Sequence, residues 1–253
     1  MDDDNTIRNK IIVTGKSSKY NLEKLSNLEL SAVYSRDKNN LIIFEKLLKK
    51  TNNKKKINIL LFTIIKNINK TASIDAVKLL IKHGVDVNYR ENFGWITPIY
   101  ICLYSENIEL TELLVENGAD VNINSLYKIS PLIYFIRRSP IENILEIIKL
   151  LIRKGSKINH KSNNGTTALM ACFEEKFDKL IKFDIIKYLL DNKADIYIKN
   201  KKNENILKII KDNISVSDDN NHDIYSLIFN YKNLENDHFC ECDINFIYYQ
   251  ITN

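Results

Sequence analysis

With 253 residues, 44% of them apolar, and a net charge of only +5 (37 Lys and Arg against 32 Asp and Glu), the chain can bury a core and lacks the basic excess of a dedicated nucleic-acid binder. Four cysteines make no disulfide framework at this length, mean hydropathy is -0.26, and the most apolar run, Ile57 to Ile65, is too short to span a bilayer. The start, Met1-Asp2-Asp3-Asp4-Asn5, has no apolar leader segment, so an intracellular, cytoplasmic location is expected.

From the N-terminus, the first helical pattern is Phe44-Glu45-Lys46-Leu47-Leu48-Lys49-Lys50, closing at Thr51. The next helix is expected to start at Asn58, and a partner helix ends Val77-Lys78-Leu79-Leu80-Ile81-Lys82-His83 before Gly84. The pairing then repeats. Thr97, Ser130, Thr167 and Asn205, like Asn58, can each accept a hydrogen bond from the free N–H groups of a first helical turn. Pro98 and Pro131 sit at the first helical position, where a missing N–H costs nothing. Apolar residues at helical spacing follow, Ile99, Cys102 and Leu103 in one copy and Leu169, Cys172 and Phe173 in another. The second helices end at Gly118, Gly155 and Lys193, and a leucine lies four positions before each end: Leu80, Leu114, Leu151 and Leu189. Glycine suits a left-handed helix terminus, whereas Lys193 should weaken its turn unless Asn192 takes that conformation instead. A last pattern, Ile224 to Asn230, puts Tyr231 in the glycine position.

Each helix end opens one recurring phrase: Gly84-Val85-Asp86-Val87-Asn88, Gly118-Ala119-Asp120-Val121-Asn122, Gly155-Ser156-Lys157-Ile158-Asn159 and a worn Lys193-Ala194-Asp195-Ile196-Tyr197. The steps, 84 to 118, 118 to 155 and 155 to 193, are 34, 37 and 38 positions. Self-similarity at this period means stacked supersecondary units, joined here by hairpin-like turns that carry Gly94 or Gly165 in two copies.

Thr97-Pro98-Ile99-Tyr100 and Ser130-Pro131-Leu132-Ile133 resemble the Thr-Pro-Leu-His signature of ankyrin repeats. Gly118-Ala119-Asp120-Val121-Asn122 resembles that family's hairpin, and Asn164-Gly165-Thr166-Thr167-Ala168-Leu169 its helix start. The resemblance implies an all-α fold, an ankyrin-repeat solenoid of about six stacked helix-turn-helix units with hairpin-like connecting loops. Residues 57–200 would be the repeats, 1–56 a degenerate N-terminal capping repeat and lead-in, and 201–253 a degenerate C-terminal repeat and capping tail. The chain departs from the pattern in three ways. The signature histidine is replaced by Leu61, Tyr100, Ile133, Met170 and Lys208, which weakens part of the capping network. Cap to helix end is 21 positions for Thr97 to Gly118 but 26 for Asn58 to Gly84 and Thr167 to Lys193, and 25 for Ser130 to Gly155, so several units hold extra residues between their helices. Thr51 to Asn58 is only 7 positions, so the first hairpin is truncated.

The family's partners are usually held by hairpin tips and the exposed side of the first helices. The tips present Tyr89, Arg90, Phe93 and Trp95, then Asn124, Leu126 and Tyr127, then His160 and Asn163. The helices present Ile65-Lys66, Tyr104-Ser105, Arg137-Arg138 and Glu174-Glu175. From these, Tyr89, Phe93, Trp95, Tyr104, Asn124, Tyr127, Arg137 and Arg138 are the expected partner-binding residues. Exposed aromatics make good anchors because they bury much area with few torsions to freeze, although Trp95 could equally pack on the neighbouring hairpin. The helix positions run from apolar through aromatic and basic to acidic, a mosaic that favours a protein partner over nucleic acid, which would want one continuous basic track. Lys54-Lys55-Lys56 and Lys199 to Lys202 read as basic runs in solvated turns, Ser215 to Asp223 as an insertion, and 232–253 as a cap over the final unit.

Signals for chemistry are thin. Cys102 and Cys172 share a column and read as inert core thiols; His238, Cys240 and Cys242 lack a fourth ligand, so no metal is expected. The chain carries no phosphate-cradling loop, nucleophile elbow or zinc-binding helix motif. The reading is therefore a monomeric, non-catalytic protein–protein interaction scaffold without cofactor, small-molecule substrate or membrane partner. The alternatives are a viral or bacterial factor of the same build that binds host proteins and, less well supported, a nucleic-acid binder through the lysine-rich turns.

Overall fold

A computed structural model describes residue 7 and residues 26–68, 72–90, 96–138, 144–174, 179–213 and 222–234. Phe93, Trp95, most of the 215–223 insertion, and the tail with His238, Cys240 and Cys242 lie outside the described residues. Among the described residues twelve α-helices and one short 3-10 turn, Leu126–Lys128, make up the regular structure.

Two compact units divide the chain, residues 1–120 and 121–253. The first contains α1 (Asn27–Val33), α2 (Lys38–Leu48), α3 (Lys54–Asn67), α4 (Ile74–Lys82), α5 (Pro98–Tyr104) and α6 (Ile108–Glu116). Here α1, α3 and α5 pack in succession as one layer, α2 rests on α4 in a second, and each odd-numbered helix packs on the helix that follows it. The second unit contains α7 (Pro131–Ile136), α8 (Ile144–Arg153), α9 (Ala168–Glu174), α10 (Lys179–Asp191), α11 (Ile206–Asn213) and α12 (His222–Leu234). Its layers are α7, α9 and α11 on one side and α8, α10 and α12 on the other, with α7 against α8 and α9 against α10.

The recurring leucines occupy the seam between the layers: Leu80, Leu114, Leu151 and Leu189 are all 0% exposed. Around them lie Ala76 and Val77, Leu110 and Thr111, Ile147 and Ile148, and Ile185 and Ile186, the positions three and four residues earlier on the same helical face. The outer units follow the same rule one position later than expected. Leu48 and Phe44 are buried in α2 and Ile228 and Ile224 in α12, whereas Leu47 and Leu227 are half-buried. Neither Thr51 nor Tyr231 therefore stands in the glycine position, and α12 runs on past Tyr231 to Leu234.

Caps decide where the first helices begin. Ser130 accepts from the Ile133 N–H (3.3 Å), Thr167 from Met170 (3.3 Å) and Asn205 from Lys208 (3.1 Å), as their spacing predicts. Thr97 stands at the same position, but its buried Oγ1 finds no hydrogen-bond partner among the described residues, which fits the loss of the signature histidine at Tyr100. Asn58 is a correction. The α3 cap is Asn53, which accepts from the Lys56 N–H (3.0 Å), so Asn58 lies inside a 14-residue helix and Lys54-Lys55-Lys56 form its first turn rather than a loop. The extra residues of that unit lengthen this helix. Ile65, expected on the exposed side of this helix, is buried and not presented to a partner.

Gly84, Gly118 and Gly155 end their helices with φ of +73°, +91° and +90°, and Lys193 itself adopts +67°; Asn192 does not take over. A side chain in this region meets its own carbonyl, at roughly 1–2 kcal/mol. Lys193→Gly should therefore stabilise the chain by about 0.5–1 kcal/mol after the added freedom of the unfolded glycine is subtracted. A rise in Tm of a few degrees would show it; an unchanged or lower Tm would mean that the lysine stem makes up for the strain.

Candidate partner-binding surface

Loops that run over a surface must find partners for their backbone groups. In this chain one side-chain type supplies them repeatedly. Asn88 donates from Nδ2 to the Gly118 carbonyl (2.8 Å) and accepts at Oδ1 from the Asp120 N–H (2.8 Å). Asn122 brackets Gly155 (2.9 Å) and Lys157 (2.8 Å) in the same way, and Asn159 brackets Lys193 (3.0 Å) and Asp195 (2.9 Å). The carboxamide suits this task because it holds a donor and an acceptor in one plane, matching a carbonyl and an N–H two residues apart. Asn58, displaced from its expected capping role, makes the acceptor half of the same bracket to the Asp86 N–H (2.9 Å). Each hairpin is thus tied to the following one within its unit, by asparagines visible in the sequence only as part of a recurring phrase.

In the first unit Tyr89 is half-buried and meets Phe62 edge-on, ring centroids 6.2 Å apart and planes at 76°. Part of this side chain is thus engaged internally. Arg90 beside it is exposed, as is Ile96 on the far side of residues 91–95. Phe93 and Trp95 fall in that segment, outside the described residues. Tyr104, in the last turn of α5, is 57% exposed.

The second unit builds a firmer platform. Ser125 closes the tip 125–129 by donating its N–H to the Ile129 carbonyl (3.0 Å) and its hydroxyl to the Leu126 and Ile129 carbonyls. This leaves Leu126, Tyr127 and Lys128 exposed, Tyr127 to 63%. Tyr127 and Lys128 both have positive φ, +64° and +54°, which costs roughly 1–2 kcal/mol each unless neighbours hold it. Two bonds from the following hairpin do so: the Asn163 N–H donates to the Tyr127 carbonyl and the His160 Nε2 to the Lys128 carbonyl, both at 2.7 Å. The next tip is bonded onward, the Lys201 N–H donating to the Asn164 carbonyl (2.9 Å). Asn124, behind the first tip, is half-buried, and its buried Oδ1 has no partner among the described residues.

Arg137 and Glu174, which the sequence offers as separate stations, meet. The Arg137 Nε and Nη2 both reach Glu174 Oε2 at 2.7 Å, and Thr166 donates to the other carboxylate oxygen (3.2 Å). Arg138 alongside is exposed. Glu174 also borders a groove of about 540 Å³ between the tips at Asn164 and Asn200 and helices α9 and α11, with Met170, Phe173 and Ile209 along its apolar side.

Cys102 and Cys172 are fully buried, and burial pushes both thiols up, that of Cys172 to about 12, which keeps them protonated and unreactive at neutral pH. Among the described residues no cluster of His, Cys, Asp and Glu could hold a metal ion, and no helix is long and apolar enough to cross a membrane.

Compared with known proteins, residues 31–125 and 117–200 match the family model described as ankyrin repeats (3 copies). In a 153-residue alignment that covers 56% of its length, the chain is 29% identical to an ankyrin repeat protein of Acanthamoeba polyphaga mimivirus. It spans 23% of that relative's length.

Proposed function

Since the chain belongs to the ankyrin repeat family, whose repeats generally work by binding other proteins and not by catalysis, we propose that it is a monomeric, cytoplasmic scaffold that holds a protein partner on its hairpin tips and the adjoining ends of its first helices. Residues 57–200 serve as the binding repeats and the flanks as caps. The observation that carries this reading is the tip at Leu126 and Tyr127, which displays two apolar side chains on a strained backbone held by bonds from the next hairpin. A rigid aromatic on a fixed support loses little entropy on binding. In the same unit Arg138 and the part of Arg137 not engaged internally belong to this surface; for the first unit the partner-binding residues proposed are Tyr89, Phe93, Trp95 and Tyr104.

Affinity capture with mass spectrometry, comparing the wild type with a Tyr89→Ala, Trp95→Ala and Tyr127→Ala variant, tests the proposal. Loss of a specific partner with helical content unchanged supports it. An identical set of captured proteins contradicts it, and joint loss of binding and fold makes these aromatics packing residues. A second reading, a viral factor that occupies host proteins, draws on the mimivirus relative; captured proteins belonging to a host rather than to the chain's own source would favour it.

A further inference from the structure

Positive charge collects on the hairpins of the second unit. Taken from the end of each helix to the start of the next, the hairpins of the second unit, residues 121–130, 154–167 and 192–205, hold Lys128, Lys154, Lys157, Lys161, Lys193, Lys199, Lys201 and Lys202 against only Asp195 and Glu204. These eight lysines and two carboxylates give a net +6, more than the whole chain's +5. The hairpin residues of the first unit, 49–53, 83–97 and 117–120, set Lys49, Lys50 and Arg90 against Asp86, Glu91 and Asp120, a net charge of zero. All eight lysines are exposed, and none forms an ion pair among the described residues, whereas Lys49 at the end of α2 and Lys78 and Lys149 on helices pair with Glu45, Asp75 and Glu146. The tips are bonded in sequence, Asn163 to Tyr127 and Lys201 to Asn164, and the asparagine brackets tie the hairpin bases, so the lysines stand on a row of mutually tied hairpins.

We infer that this row docks an acidic segment of a protein partner, with an apolar side chain of that segment entering the groove beside Met170, Phe173 and Ile209. The inference rests on the hairpin tips being the binding surface. Unpaired like charges held side by side raise the local potential and attract carboxylates. The groove offers an apolar side at Met170, Phe173 and Ile209, which suits a hydrophobic side chain; its other walls include Glu174 and Glu204, bonded to Arg137 and Asn200, so the charged part of the occupant belongs on the lysines and not in the groove. The row also contains lysines only, with no arginine to fork onto phosphates.

The test uses the full chain and fluorescence anisotropy with three labelled probes: a sixteen-residue Asp/Glu peptide with a central Phe-Leu, its counterpart with Lys for every acid, and a sixteen-nucleotide oligo-dT. The acidic peptide should bind, more weakly as salt rises, and more tightly than oligo-dT. A Lys199→Glu, Lys201→Glu, Lys202→Glu variant should bind it at least about tenfold more weakly, with helical content and Tm unchanged because these side chains have no partners to lose. Lys38→Glu, Lys46→Glu, Lys50→Glu, equal in charge but on α2 and its end, should leave binding within about threefold. Absence of peptide binding, equal loss in both variants, or tighter oligo-dT binding overturns the inference. Should a captured partner depend on Tyr127 but not on the three lysines, the tips remain the binding surface and the acidic-segment assignment alone fails.

Discussion

Leu114→Ala should destabilise the chain by roughly 2–5 kcal/mol, the range for emptying a buried leucine site that cannot fully collapse. Leu114 is 0% exposed in α6, flanked by buried Leu110 and Val115, and its carbonyl accepts the Ala119 N–H (2.9 Å) that starts the following hairpin. A cavity here removes contacts between the helix layers and loosens the turn that Asn88 brackets. In an array of repeats such loss is felt at the interface with the neighbour as well as within the unit. Thermal or urea unfolding measures it, with a Tm drop of roughly 5–15 °C for a chain of this size. Leu113→Ala is the matched control: the neighbouring leucine is only half-buried and should cost less than half as much. Equal effects would show that the layer seam does not lie where the leucine column places it.

Gly165→Ala should cost about 2–4 kcal/mol, well above Gly155→Ala at about 1 kcal/mol. Both glycines have strongly positive φ, +80° and +90°, so the conformational penalty is shared. They differ in surroundings. A Cβ on Gly155 meets nothing within 4 Å, whereas one on Gly165 would lie 2.7 Å from the Asn200 Cα and 2.9 Å from the Lys201 nitrogen. Those neighbours are backbone and cannot rotate away, so the two tips must separate and the bond from Lys201 to Asn164 must lengthen or break. Binding of the acidic peptide should weaken in the same variant, since the groove lies between these tips. Equal unfolding free energies for the two variants would mean that the hairpins approach less closely than described.

What could be read from residues alone follows a physical division. Helix ends were legible where the chemistry is local: Ser130, Thr167 and Asn205 cap as expected, and the buried leucines follow from helical periodicity. Asn58 was misplaced because cap chemistry is the same wherever an asparagine stands. Asn53 caps this helix although three lysines in its first turn oppose the helix dipole, so the start lies where local charge does not favour one. Helix α1 went unread although Ser26-Asn27-Leu28-Glu29 carries a capping box, the Glu29 carboxylate returning to the Ser26 N–H at 2.8 Å. On the surface, the exposed Tyr104 and Tyr127 were legible. The pairing of Arg137 with Glu174 was not, because the two lie 37 positions apart and meet only through stacking. The lysine-bearing hairpins are hidden in the sequence for a similar reason: a net charge summed over the whole chain does not show where the charge collects.

Amide hydrogen exchange on the intact chain tests whether successive hairpins are truly tied through their asparagines. The N–H groups of Asp86, Asp120, Lys157 and Asp195 sit on exposed residues and should still exchange at least about tenfold more slowly than an unstructured reference, because each is held by Asn58, Asn88, Asn122 or Asn159. Asn122→Ala should release Lys157 and leave the other three protected. Free exchange of all four while helix amides stay protected would contradict the tied array, and with it the rigid tips on which the binding surface depends.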